Sequence, residues 1–139
     1  MALIGRMHPL LVHFPIALVL IAAVAEGIAT FTHEWRWRTV AVANLRAGAA
    51  IGLIAAIAGW RLSLLPGVEA SGLLEFHRWV GAAAAVATVV AALVSPGAER
   101  RSPLEFVLYR VTLFASAMLV AITGHFGGLL VWGSDFFKP

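Results

Sequence analysis

Four apolar segments, residues 9–31, 40–60, 73–94 and 104–132, leave this chain little choice of fold. Each is near or above the ~20 residues that cross the hydrocarbon core of a bilayer as a helix. Only three short polar connections separate them, and the last two carry Pro and Gly as turn signals. Composition agrees: 61% of the 139 residues are hydrophobic and 12% are charged, against about a quarter charged in a water-soluble domain. No repeat or low-complexity linker divides the sequence. The expected fold is therefore all-α, an integral membrane four-helix up-down bundle forming one domain over 1–139.

The polar residues set orientation and exclude several chemistries. With no cysteine, disulfides, thiolate ligands, iron–sulfur clusters and covalent c-type haem attachment are out. The net charge of +3 comes from groups outside or near the ends of apolar runs, so it reads as a topology signal; no nucleic-acid module is present. Arg36, Arg38, Arg46, Arg100, Arg101 and Arg110 fall on one side and Arg6, Arg61, Arg78 and Lys138 on the other. Six against four makes the first side cytoplasmic and predicts both termini in the periplasm of a bacterial inner membrane. Arg6, the apolar run and Ala23-Val24-Ala25 share the layout of a secretory signal peptide. The run continues through Glu26 and Gly27, however, and is long enough to be the first span.

Five histidines in so apolar a chain are the most informative feature, because ionisable residues in spans are costly and usually face the bundle interior for a purpose. His8, His13, His77 and His125 all fall in the outer half of an up-down bundle, whereas His33 sits in the inner connection beside Glu34 and Arg36. At a rise of ~1.5 Å per residue, His13 and His77 lie within about 6 Å of the boundary and His125 ~10 Å inside it. His8 and His13 point about 140° apart on a straight helix, so one would ligate while the other bonds a propionate or serves a second cofactor. Neutral imidazole is the usual axial ligand of haem iron, and bundles place such ligands on facing helices. Gly124, Gly127 and Gly128 surround His125 and would admit a flat macrocycle, while Arg6 and Arg78 could pair with propionates. The opposing reading is that small residues serve close packing and each His only links helices.

The stretches that carry these histidines, HPLLVHFPIAL from His8 and GHFGGLLVWGSDFF from Gly124, resemble the bacterial membrane family catalogued as domain of unknown function 2231. The likeness covers essentially the whole chain in length and helix layout. It implies a four-helix membrane domain that binds haem and works with periplasmic c-type cytochromes, with His8, His13 and His125 at the matching motif positions. Relatives carry a further histidine near the end of the closing motif, where this chain has Trp132.

Other polar positions divide between shaping and pairing. Pro9 suits a first helical position, while Pro15 frees a carbonyl one turn back that could receive an imidazole N–H or tilt His13 inward. Glu26, Arg46 and Arg110 lie at similar inner depth, which predicts a salt bridge from Glu26 to Arg46, Arg110 or both. A quinone or proton site using Tyr109 or Glu26 is the functional alternative. Ser63, Ser71 and Ser134 fit caps or turns, and no hydrolytic or zinc-protease arrangement exists.

These residues lead to the expectation of a haem b protein holding one or two haems, with His13 and either His77 or His125 as metal ligands. It would be an electron-transfer subunit and no enzyme in itself, contacting lipid, other subunits of a redox complex and a c-type cytochrome. A cofactor-free structural or assembly subunit is the alternative. A copper or zinc protein ranks below both, since the cluster offers neither thiolate nor carboxylate.

Overall fold

The computed structural model describes residues 2–95 and 102–133. Pro96, Gly97, Arg100, Arg101, Ser134 and Lys138, named above, lie outside the described residues. The described residues are helical almost throughout: α1 (Ala2–Arg6), α2 (His8–Leu11), α3 (His13–Thr32), α4 (Trp35–Leu62), α5 (Gly72–Val94) and α6 (Pro103–Trp132). Four stretches are long and apolar enough to cross a membrane: His8–Thr32, Trp35–Leu62, Gly72–Val94 and Pro103–Trp132. They form the expected ring, with α3 beside α4 and α6, and α5 beside α4 and α6.

The first span and the segment before it form three consecutive helical pieces, α1, α2 and α3. Turns at Met7 and Val12 separate them, each two or three residues before a proline. Pro9 and Pro15 cannot donate to the carbonyls of Gly5 and Leu11, and their rings crowd those carbonyls. Backbone bonds such as Val12 N–H to His8 O (3.0 Å) and Ile16 N–H to Val12 O (3.3 Å) bridge the gaps.

The first connection is shorter than the sequence suggested. Helix α4 starts at Trp35, five residues before its apolar run, so Arg36, Trp37 and Arg38 are helical. Loss of hydropathy marks where a helix leaves the hydrocarbon, not where it ends. The reversal needs only His33, in the left-handed region with φ 57°, and Glu34. Residues 63–71 form the second connection, closed by the Ser71 hydroxyl accepting from Leu74 N–H at 3.1 Å. Helix α6 opens on Ser102 and Pro103 with Glu105 in its first turn, as helix N-terminal chemistry favours.

Small residues fill the interior and large ones face outward. Ala22, Val42, Leu45, Ala91, Tyr109 and Leu113 form one buried cluster; Val19, Ala84, Ala117 and Val120 form another. Phe31, Leu93, Met118 and Val131 are exposed, where lipid can cover them. Gly48, Gly52, Ala55 and Gly59 fall on one face of α4 at helical spacing. A methyl added at Gly48 would lie 2.9 Å from Val19, and one at Gly52 would lie 3.4 Å from Pro15. This small-residue face lets the first span approach closely, the usual device for packing helices in a membrane.

Candidate functional site

Two polar loci lie inside the bundle, one at each end. At the end carrying the α4–α5 connection, His8 and His77 come together. They project from α2 and α5, segments on opposite sides of the ring, and each is anchored to a third or fourth helix. His8 Nδ1–H donates to Ala55 O on α4 at 2.8 Å, and His77 Nδ1–H donates to Thr123 O on α6 at 3.2 Å. A carbonyl can only accept, so each bond places the proton on Nδ1 and leaves a lone pair on Nε2. The ring centres are 6.3 Å apart and the planes are inclined at 74°.

Glycines make room for both rings. A methyl at Gly59 would lie 2.5–3.0 Å from the His8 imidazole, and one at Gly127 would lie 3.1 Å from His77 Cε1. Gly127 was read as space for a macrocycle; here it accommodates an imidazole. A methyl added at Gly124 would lie 3.3 Å from Ile16, while one at Gly128 would meet nothing within 4 Å.

The remaining sequence candidates are spread differently. His13 and His125 are exposed on the outer surface of the bundle, as is Arg6. Pro15 is buried against Gly52 and does not turn His13 inward. Arg78 follows His77 on α5: its guanidinium stacks 4.2 Å from the Trp60 ring, and its buried Nε has no hydrogen-bond partner among the described residues. Trp60 meets Trp79 edge-on at 5.5 Å. A depression of about 300 Å³ lined by Ser63, Val68, Ser71, Leu74, Glu75 and Arg78 opens beside it. Among the described residues, no three His, Cys, Asp or Glu side chains gather as a metal-ligand set.

The α3–α4 end holds charge. Glu26 is fully buried, 0% exposed. Its carboxylate accepts from Arg38 Nε at 3.3 and 3.4 Å and from the buried Tyr109 hydroxyl at 3.2 Å, with Arg110 Nε at 3.9 Å. The expected Glu26–Arg110 proximity is present. Arg46 does not join it, because it donates from Nε to Ser95 Oγ at 3.0 Å instead. Depth along an axis fixes how far in a residue lies, but not which side of the helix it occupies. Arg38 was missed because it was counted in the connection, although one extra turn of α4 brings it to the carboxylate. Outside the core, Arg36 Nε reaches Glu34 at 2.6 Å, and this hydrogen bond holds the Glu34 carboxyl below its ordinary range.

Sequence reasoning also missed Ala55, Gly59, Trp60 and Thr123. The spacing of small residues along α4 was the available signal for the first two. Thr123 acts through its backbone carbonyl, which any residue there could offer. In comparisons with known proteins, no curated protein and no solved structure matches the chain significantly. The model of the family described as a predicted membrane protein (DUF2231) matches residues 6–136, which takes in all four spans and both polar ends. The chain belongs to that family of membrane proteins.

Proposed function

We propose that this chain is a b-type haem-binding membrane subunit that passes electrons at its histidine end, where His8 and His77 would hold the haem. The carrying observation is two imidazoles from opposite sides of the ring, each fixed through Nδ1 by a backbone carbonyl and each keeping an Nε2 lone pair. Metal-bound histidines are commonly oriented in this way by a second hydrogen bond. A metal held about 2.0–2.1 Å from a nitrogen of each ring separates the ring centres by about 6 Å, close to the 6.3 Å found. Two ligands without a third suit haem iron, whose macrocycle fills the other positions, better than zinc or copper.

Arg78 supports the same reading. A buried guanidinium nitrogen without a partner is costly, and a propionate would satisfy it with a charge-assisted bond. Haem, when bound, supplies one-electron transfer. The chain's part is to hold both imidazoles in one tautomer, surround them with apolar helix and offer Arg78 to an anionic group. A periplasmic c-type cytochrome or another redox subunit in a bacterial inner membrane would complete the relay, with both termini periplasmic. Alkaline phosphatase activity of a fusion after Pro139 supports that orientation, and fluorescence of a green fluorescent protein fusion reverses it.

A pyridine haemochrome assay on protein purified from haem-replete cells tests the proposal. Non-covalent haem b is expected in the wild type and in His13→Ala and His33→Ala, and is lost in His8→Ala and His77→Ala. A colourless wild type defeats it. One observation favours a second reading, a cofactor-free structural or assembly subunit: His8 already fits the Gly59 notch and both rings are already bonded. That reading expects colourless protein whose His8→Ala variant melts lower.

A further inference from the structure

We propose that the α3–α4 end is a binding site for the phosphate of an anionic phospholipid, held by Arg38 and Arg110 across Phe106. Both guanidinium groups lie against the Phe106 ring, 4.8 and 5.5 Å from its centre. Both turn their Nε toward Glu26. Glu26 and Tyr109 are fully buried and already joined, so no ligand from outside can reach them. That geometry removes the quinone reading, which needed one of these groups free for a carbonyl.

What the cluster offers outward is positive charge. Two arginines face one carboxylate, leaving a formal excess of one. Glu34 is engaged by Arg36, and Glu105 makes no ion pair with Arg38 or Arg110 among the described residues, so the excess belongs to the contact cluster of Glu26, Arg38 and Arg110. The Arg38 and Arg110 side chains remain 26% and 35% exposed. With Nε directed inward, their terminal nitrogens have no hydrogen-bond partner among the described residues and can make the forked contact that suits phosphate oxygens.

The surroundings select a lipid over a free anion. Exposed Trp35 and Trp37 stand at this end, the level at which aromatic side chains meet headgroups. Exposed Leu104, Val107, Leu108 and Val111 run down α6 beside Arg110 at the i, i+3, i+4, i+7 spacing of one helix face, a surface for an acyl chain. Glu26 is then a positioning residue: it fixes two cations side by side without meeting the ligand.

The test is thermal unfolding of the full chain in detergent, titrated separately with phosphatidylglycerol, phosphatidylcholine and inorganic phosphate. Saturable stabilisation by phosphatidylglycerol is expected, well above that by phosphatidylcholine, with none from phosphate at the same concentration. Arg38→Gln and Arg110→Gln should each weaken the apparent affinity about fivefold. If either variant fails to fold, Arg110→Lys should still fold and should weaken binding through loss of the forked contact. Equal stabilisation by the two lipids overturns the proposal, as does an unchanged phosphatidylglycerol response in the arginine variants. Stabilisation by inorganic phosphate alone assigns the arginines to a free anion and overturns the lipid.

Discussion

At the histidine end, each imidazole is satisfied singly by a backbone carbonyl on the adjoining helix. At the α3–α4 end, the polar side chains satisfy one another. His8 and His77 each spend one nitrogen in these bonds, and a neutral ring keeps the lone pair of the other in reserve. Glu26 spends its capacity on Arg38, Tyr109 and Arg110, leaving nothing for a ligand. The difference separates a place where a group can be received inside the bundle from one that holds helices together and presents only its outer edge. It also ranks the expected damage, since a stranded charge costs far more than a lost neutral hydrogen bond.

The largest effect should come from Glu26→Gln. Removing one partner of a fully buried pair costs about 3–5 kcal/mol, an upper bound here because Arg38 and Arg110 keep side-chain exposures of 26% and 35%. The melting temperature in detergent should fall steeply while any cofactor spectrum at the far end stays unchanged. A fall in both would mean that the two ends are coupled and would erase the distinction. Tyr109→Phe is the milder version, losing one hydrogen bond to a charged group at about 1.5–3 kcal/mol, read by the same melt. If it matches Glu26→Gln, the hydroxyl and not the ion pairs holds the carboxylate.

Gly59→Ala probes the other end. The added methyl would lie 2.5 Å from His8, so the imidazole must leave its notch, at an overpacking cost of about 1–3 kcal/mol. Haem content should drop with it. Gly128→Ala, with nothing within 4 Å, should leave both melt and haem content unchanged. Equal behaviour of the two variants would show that the His8 position does not depend on its notch.

Much of this contrast was legible before any coordinates. The four spans follow from run length alone, and the gathering of histidines at one end follows from counting crossings. Which histidines meet was not legible, because the angle between His8 and His13 assumes a straight helix. Turns at Met7 and Val12 break that regularity ahead of Pro9 and Pro15, and His8 bonds Ala55 while His13 is exposed. The Glu26–Arg110 proximity was recovered from depth. Arg38 was lost because its neighbours Arg36 and Trp37 look like a loop by hydropathy while folding as the first turn of α4.

The smallest effect sharpens the comparison by holding chemistry fixed and changing only surroundings. Glu34–Arg36 is also a carboxylate–guanidinium pair, at 2.6 Å, but with side-chain exposures of 41% and 74%, so water and salt screen it. The hydrogen bond from Arg36 lowers the Glu34 carboxyl from its ordinary value. A carboxyl depressed in the folded state adds stability above its unfolded pKa, and that stability is lost as the pH falls through the folded value. Glu34→Gln should therefore melt slightly below wild type at neutral pH and low salt, and the gap should close below the carboxyl's depressed range. Added salt should close it as well, whereas the loss in Glu26→Gln, shielded from water, should persist. A salt-independent gap for Glu34→Gln would mean that this residue acts through the turn it forms with His33 and not through charge.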